Sequence, residues 1–146
     1  MSYWDTAALV KLYAKEADSA IFENYALKIT KPLATSRITI YEARATFRRK
    51  EAEGILQPGT AQTLYNQLLA DIVAGEVYLL EIGADIEREY AQVLDLCYQH
   101  KPPIPVRTLD SLHLASARAA GDTEIVATDK RMRDAAKLLG FSTFPA

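Results

Sequence analysis

Four acidic residues stand where the chain passes from a strand-like to a helix-like pattern, or where a helix has just begun: Asp5, Glu42, Asp110 and Asp129. Carboxylates are strongly hydrated, and gathering several of them away from water costs on the order of several kcal/mol unless a cation neutralises them. Mg²⁺ and Mn²⁺ prefer oxygen ligands. If the fold brings these acids together, we expect them to hold a divalent metal, and such a site can hydrolyse a phosphodiester.

Each acid taken alone also has an ordinary structural explanation. Asp5 and Asp129 are well placed to cap helices, and Asp110 to stabilise a helix N-terminus through its dipole. Glu42 could be a solvated helix residue. Taken together the acids favour a site, because each adjoins apolar residues that we expect to be buried, as Trp4 adjoins Asp5.

Short apolar segments alternate with longer segments of helical periodicity along the chain. The strand candidates are residues 3–4, 32–35, 77–82, 125–127 and 141–144. The helix candidates are residues 6–15, 38–53, 84–100, 108–120 and 130–139, with two more beginning at Asp18 and Pro58. This alternation predicts an α/β fold with a central, mostly parallel sheet of about four to five strands between layers of helices. Asp5 and Asp129 follow strands, at the ends where such sheets bind ligands.

Length and composition bound the class of protein. The 146 residues, 49% apolar and 25% charged, predict a single soluble domain, 1–146. No apolar run approaches the ~18 residues of a membrane span, and the first residues lack the basic start of a secretory signal. Cys97 is the only cysteine, so no internal disulfide can form, and a cytoplasmic location is expected. With a net charge of −2, any nucleic-acid binding must use local basic patches.

The segments that carry the acids resemble a known family. They are YWDTAALVKLY at 3–13, SRITIYEARA at 36–45, RTLDSLHLASA at 107–117 and VATDKRM at 126–132. In this order they resemble PIN-domain ribonucleases, especially the VapC-type toxins of bacterial toxin–antitoxin pairs, over nearly the whole chain. The resemblance implies a PIN-like three-layer fold in which Asp5, Glu42, Asp110 and Asp129 are the metal-binding acids.

The resemblance also implies an activity and partners. It implies an endoribonuclease that uses one or two Mg²⁺ or Mn²⁺ ions and an activated water molecule to cleave structured RNA, leaving a 5′-phosphate and a 3′-hydroxyl. It further implies a homodimer and a cognate antitoxin that covers the groove. Two positions depart from the family pattern. Ala7 stands where a small hydroxyl residue is common, and Ala127 where Ser or Thr is common, with Thr128 beside it.

Three further polar residues adjoin the acids. Thr6 and Thr128 are candidates for hydrogen bonds to the acids or to the water around a metal. His113 lies one helical turn after Asp110, where a packed or outer role is favoured over that of a general base. The metal can acidify water without help from a histidine.

Two basic clusters, at residues 44–50 and 130–133, flank the acids. Charge clusters usually form solvated faces, but a phosphate backbone that approaches carboxylates needs positive neighbours. Arg44 and Lys130 are therefore the candidate RNA contacts.

Two alternatives to the nuclease differ in kind. One is a non-catalytic PIN-like binding module whose acidic pocket holds a basic side chain of a partner. The other is a phosphatase on a similar sheet, but the Asp-x-Asp pair such enzymes use is missing, because Asp5 is followed by Thr6 and Ala7. Dependence of turnover on Mg²⁺ or Mn²⁺ separates catalysis from binding.

The first helices carry more apolar side chains than a thin layer should need. We expect some of these residues to line a groove for an amphipathic helix of the antitoxin: Tyr13, Ile21, Phe22, Tyr25, Leu64 and Leu68.

Overall fold

A computed structural model describes residues 1–146 as a five-stranded parallel sheet with seven helices. The strands are β1 (Ser2–Trp4), β2 (Leu33–Ser36), β3 (Val77–Leu80), β4 (Glu124–Val126) and β5 (Ser142–Phe144), in the order β3-β2-β1-β4-β5. The helices are α1 (Thr6–Val10), α2 (Ser19–Lys28), α3 (Arg37–Ala52), α4 (Thr60–Val73), α5 (Ala84–Gln99), α6 (Thr108–Ala120) and α7 (Lys130–Leu138). The predicted α/β class is therefore confirmed, and every strand pair is parallel.

The central strand β1 separates two apolar cores. Successive side chains of a strand point to opposite faces of the sheet. Trp4 accordingly packs with residues of α1 to α4, among them Phe22, whereas Tyr3 packs with residues of α5 to α7, among them Leu114. All three residues of β1 are buried, as expected for a parallel strand covered on both faces.

The connections from the three middle strands bring three helices to one edge of the sheet. β1 pairs with β2 on one side and with β4 on the other. These strands lead directly into α3 from β2, α1 from β1 and α7 from β4, so all three helices start at the carboxyl edge. This is the edge where parallel sheets hold their ligands.

Most predicted element bounds hold within about two residues, but the first helix is shorter than predicted. The helix expected over residues 6–15 ends at Val10. The following N–H groups bond carbonyls three residues back, as from Leu12 to Leu9 and from Tyr13 to Val10, both at 3.0 Å. Asp18 does not cap α2 through its side chain, because that carboxylate accepts a hydrogen bond from Lys11 instead.

The predicted apolar groove is largely wrong. Phe22 and Leu68 are almost fully buried, Leu64 is buried with them, and all three belong to the core beneath α1 to α4. Tyr13 and Tyr25 are half-buried against the same core, and of the six residues only Ile21 is exposed. The apolar surplus mostly fills the space beside Trp4. An open pocket of about 720 Å³ does lie beside α2, but Tyr13 is the only one of the six residues that lines it. None of the helices has the length and the apolar character that crossing a membrane would require.

Candidate functional site

All four acidic residues line one cleft at the carboxyl edge of the sheet. The cleft has a volume of about 460 Å³ and is lined by Asp5, Glu42, Asp110 and Asp129 together with Thr6, Ala7, Arg107, Thr108, Leu109, His113 and Arg131. The chain separates these acids by up to 124 positions. The parallel order of β2, β1 and β4 brings Glu42, Asp5 and Asp129 to one edge, and the first turn of α6 adds Asp110. We call this the acid cleft.

Asp5 connects β1 to α1 and is buried. Its backbone N–H continues the sheet by bonding Val126 O at 3.1 Å, and its Oδ1 accepts a hydrogen bond from Ala8 N at 2.9 Å, which caps α1. Burial raises the pKa of Asp5 from 3.8 to about 6, and the negative charges of Asp110 and Glu42 add to this rise. Its other oxygen, Oδ2, has no hydrogen-bond partner in the protein.

Glu42 lies in the second turn of α3, and its Oε1 is held from two sides. Thr6 Oγ1 donates to this oxygen at 2.7 Å, and His113 Nε2 lies 2.7 Å from it. Burial opposes ionisation of Glu42, but the hydrogen bonds from His113 and Thr6 outweigh burial and leave the pKa of Glu42 below its ordinary value. Glu42 Oε2 has no protein partner and remains available in the cleft.

His113 is the middle of a buried polar chain. A carboxylate can only accept, so Nε2 carries the proton that bonds Glu42, and Nδ1 accepts from Tyr3 Oη at 2.5 Å. Burial keeps the pKa of Tyr3 well above its ordinary value, so the phenol stays a donor. Because the protonated Nε2 faces Glu42, His113 has no free acceptor for a general-base role. The favoured interpretation, a packed histidine that supports an acid, agrees with this geometry.

The threonines continue this chain under the cleft. Thr35 Oγ1 donates to Trp4 O at 2.8 Å and lies 2.6 Å from Thr39 Oγ1, which in turn lies 3.4 Å from Thr6 Oγ1. Thr6 thus joins Glu42 to the buried hydroxyls. Thr128, by contrast, is exposed and lines a neighbouring pocket rather than the acid cleft.

The two remaining acids are less constrained. Asp110, in the first turn of α6, is half-buried, and neither of its oxygens has a hydrogen-bond partner in the protein. Asp129 caps α7, because its Oδ2 accepts from Met132 N at 3.0 Å, and its Oδ1 remains free. The capping explanations for Asp5 and Asp129 are therefore correct as far as they go, and each cap uses only one of two carboxylate oxygens.

The side chains of the acid cleft face one space without converging on one point. No three Asp, Glu, His or Cys side chains are close enough to form a preformed metal-ligand cluster. What the cleft offers is a set of carboxylate oxygens without protein partners: Asp5 Oδ2, Glu42 Oε2, Asp129 Oδ1 and both oxygens of Asp110.

The cations beside the acids are not the ones predicted. Arg44 places its guanidinium over the ring of Tyr65, 4.8 Å from the centroid, and Lys130 pairs with Asp134 at 2.7 Å; neither lines the acid cleft. Arg107 and Arg131 line it instead, and neither makes an ion pair. Arg107 lies one helical turn before Asp110 and Arg131 is part of the basic cluster at 130–133, so the spacing contained this signal.

Comparison with known proteins agrees with this geometry. The family model for the PIN domain matches residues 2–138. Ribonuclease VapC46 of Mycobacterium tuberculosis (strain ATCC 25618 / H37Rv) is 34% identical over 143 residues, which cover 96% of this chain and 93% of that protein.

Two solved structures share the fold. One is Mycobacterium tuberculosis VapC20, a Sarcin-Ricin loop cleaving toxin, with TM-score 0.65 and 18% identity over 92% of this chain and 95% of the other. The second is a toxin–antitoxin complex from Klebsiella pneumoniae, with TM-score 0.62 and 14% identity over 91% of this chain and 90% of the other. The match of fold, family model and full-length relative leaves one assignment: this chain belongs to the PIN domain family and is a homologue of the VapC ribonucleases.

Proposed function

We propose that the protein is a metal-dependent endoribonuclease and the toxin of a toxin–antitoxin pair, in which Asp5, Glu42, Asp110 and Asp129 hold one or two Mg²⁺ or Mn²⁺ ions. The observation that carries this proposal is that four carboxyl groups from distant parts of the chain line one cleft. Homology to a ribonuclease supports the reaction class. Gathered carboxylates need a neutralising partner, and the cleft holds four carboxyl groups but only two guanidinium groups.

The donor set fits a hard divalent cation. Only oxygen is offered by the acids, and the fold commits one oxygen each of Asp5, Glu42 and Asp129 while leaving the other free. Oxygen-only sites suit Mg²⁺ and Mn²⁺. The raised pKa of Asp5 reports burial together with the repulsion of Asp110 and Glu42, which a cation in the cleft relieves.

The residues divide the work of cleavage. A divalent ion bound here supplies the charge that acidifies water and stabilises the oxygen leaving phosphorus. Asp5 and Glu42 would hold that charge from the buried side of the cleft, and Asp110 and Asp129 from its more exposed side. Thr6 and His113 hold Glu42 in one orientation. The guanidinium groups of the two cleft arginines neutralise the phosphate that approaches the acids.

The partners in this proposal are a structured RNA as substrate, a second copy of the chain and a cognate antitoxin. A toxin–antitoxin complex among the structures that share the fold supports the antitoxin. The alternative function, a binding module that grips a basic side chain of its partner, uses the same acids but requires no metal. A partner bound equally well with and without Mg²⁺, in a protein that never cleaves RNA, would favour the alternative.

The test is Asp5→Asn. Asn keeps an oxygen that can accept from Ala8 N, so the cap on α1 survives, but the ligand charge is lost. We expect RNA cleavage in Mg²⁺ or Mn²⁺ to fall more than about 100-fold. We also expect the rise in Tm that Mg²⁺ or Mn²⁺ gives the wild-type protein by mass action to shrink or vanish in the variant.

Asp95→Asn is the matched control for Asp5→Asn. Asp95 lies on α5, is exposed, and makes no ion pair or side-chain hydrogen bond, so the same chemical change there should alter neither cleavage nor the metal-induced rise in Tm. Cleavage by Asp5→Asn at the wild-type rate would overturn the metal site.

A further inference from the structure

A second pocket adjoins the acid cleft, and nothing in the cleavage reaction itself requires it. It has a volume of about 500 Å³ and lies between the connector after α5 and the outer face of α7. Its lining contains His100, Pro102, Pro103, Ile104 and Pro105 of the connector, and Arg131, Asp134, Lys137 and Leu138 of α7. We call it the proline pocket.

We infer that the proline pocket binds one nucleotide of the RNA, next to the nucleotide whose phosphate lies in the acid cleft. This inference rests on the proposed function, because it names the path of the same substrate. The two pockets adjoin, because Arg131 lines both the acid cleft and the proline pocket. A chain of phosphates that leaves the acids past Arg131 enters this pocket.

The proline pocket also carries positive charges from α7 that no carboxylate neutralises. α7 carries four cations, Lys130, Arg131, Arg133 and Lys137. Lys130 is neutralised by Asp134, and Arg133 donates to the carbonyls of Ala127 and Pro145. Arg131 and Lys137 have no carboxylate partner, and both line the proline pocket. Two unpaired cations in one pocket suit a phosphate backbone.

The opposite end of the acid cleft lacks free cations. A pocket there shares Thr6, Ala7 and Glu42 with the cleft and is also lined by Lys11, Arg49 and Lys50. Lys11 pairs with Glu16 at 3.1 Å and with Asp18 at 2.8 Å, and Lys50 pairs with Glu16 at 3.3 Å. The third cation, Arg49, pairs with Glu53 at 3.9 Å. The side chains of both lysines are nearly buried in these pairs. This end therefore offers a phosphate less than the α7 end does.

The connector gives the proline pocket an apolar floor. Three proline rings and Ile104 present an apolar surface on which a nucleobase can lie while its phosphate meets the cations. Prolines have one fixed dihedral, so little order is lost when a ligand binds. The connector is also tied to α5, since Ile104 N donates to Cys97 O at 2.9 Å. At the rim, the His100 ring is held by a hydrogen bond from Nδ1 to Pro102 O at 2.8 Å.

Binding can be separated from cleavage in the Asp5→Asn protein. A fluorescently labelled single-stranded RNA hexamer is titrated with this protein at several salt concentrations, and anisotropy gives the Kd. Adding Lys137→Ala should weaken binding about fivefold at 0.1 M salt, and should reduce the slope of log Kd against log salt by about 0.7, the value of one phosphate contact on a single strand. Lys137 does not line the acid cleft, so its effect reports the proline pocket alone.

Lys28→Ala in the Asp5→Asn background is the matched control. Lys28 is an exposed cation on α2 without an ion pair, and α2 contributes no residue to the acid cleft or the proline pocket. Its removal makes the same change in net charge and should leave Kd and salt slope within error of the parent. Equal effects of Lys137→Ala and Lys28→Ala would overturn the inference, as would failure of the Asp5→Asn protein to bind the RNA at low salt.

Photo-crosslinking locates the nucleotide independently. A 4-thiouridine placed on either side of the cleavage site of an RNA substrate should crosslink to residues 100–105 or to α7. Crosslinks that fall only on α3 or on residues 11–16 would overturn the proline pocket while leaving the nuclease intact. Cleavage by Asp5→Asn, in contrast, would overturn the nuclease proposal, so the two failures are distinguishable.

Discussion

The two walls of the acid cleft are built differently. The inner wall holds Glu42, whose Oε1 is bonded by Thr6 and His113, and Tyr3 stands behind His113 in the core. The outer wall holds Asp110, which has no hydrogen-bond partner in the protein, and the two arginines of the cleft, which have no ion-pair partner. One wall is fixed by the fold before any ligand arrives, and the other keeps its charges free.

This difference separates positioning from binding. A carboxylate held by two buried donors loses little freedom when it binds a ligand, but its removal leaves those donors unpaired in a low dielectric. A carboxylate with no hydrogen-bond partner contributes little to folding beyond its interaction with the helix dipole, and it is available to bind a ligand. Inner-wall substitutions should therefore cost stability as well as activity, and outer-wall substitutions should cost activity alone.

The largest effect is expected from His113→Ala. The change leaves Tyr3 Oη and Glu42 Oε1 without their buried partner and opens a cavity beside β1, where Tyr3 is fully buried. An unpaired buried polar group costs about 1–3 kcal/mol, and a cavity adds to it, so we expect a loss of about 4 kcal/mol in the free energy of unfolding. Urea unfolding followed by circular dichroism measures it.

Asp110→Ala tests whether a substitution in the outer wall leaves the free energy of unfolding unchanged. It removes a carboxyl without a protein partner, one whose charge raises the pKa of Asp5. We expect the free energy of unfolding without metal to stay the same or to rise, while RNA cleavage is lost. If Asp110→Ala destabilises the protein as much as His113→Ala does, the two walls do not differ in the way described.

The sequence predicts the acids of the cleft much better than the contacts that hold them in place. Asp5 and Asp129 follow apolar strands and Asp110 lies at the start of a helix, so local sequence patterns alone place these acids near the carboxyl edge of the sheet. The bond between Tyr3 and His113 joins residues 110 positions apart, on a strand and a helix that meet only in the folded core. No local pattern encodes such a contact, and it was not predicted.

The apolar helices show the same limit from another side. The spacing of Phe22, Leu64 and Leu68 correctly indicates buried helix faces, but periodicity does not say what covers a face. A groove and a core give the same pattern. The core is formed because β1 is the central strand, and the large Trp4 side chain on one face of the sheet is covered by these helices.

The pH dependence of the free energy of unfolding should report the ionisation of Asp5. Its pKa is raised from 3.8 to about 6 in the folded protein. A raised carboxyl pKa means that the folded state holds its proton longer. This stabilisation is therefore complete below about pH 3.8 and is lost as the pH rises to about 6. The loss amounts to about 3 kcal/mol at most, since one pKa unit is worth about 1.4 kcal/mol.

Asp5→Asn removes this titration and isolates its contribution. We expect the variant without metal to gain stability relative to wild type as the pH rises through this window, and to be the more stable protein at pH 7. The lowered pKa of Glu42 gives both proteins a contribution of the opposite sign, which adds stability as the pH rises. Urea unfolding at a series of pH values gives the difference, and a constant difference across the window would contradict the assignment.

The smallest effect is expected at Asp129, where a cap and a ligand share one side chain. Asn can still accept from Met132 N, so Asp129→Asn should change the free energy of unfolding by less than about 0.5 kcal/mol, whereas Asp129→Ala should cost about 1 kcal/mol through loss of the cap. The lost charge should raise the Mg²⁺ concentration for half-maximal cleavage several-fold, because Asp129 lines the acid cleft and the cap uses only its Oδ2. Ala127 supplies no hydroxyl that could share this role. If Asp129→Asn keeps both wild-type stability and full cleavage at limiting Mg²⁺, Asp129 is a helix cap alone and the metal site has three acids.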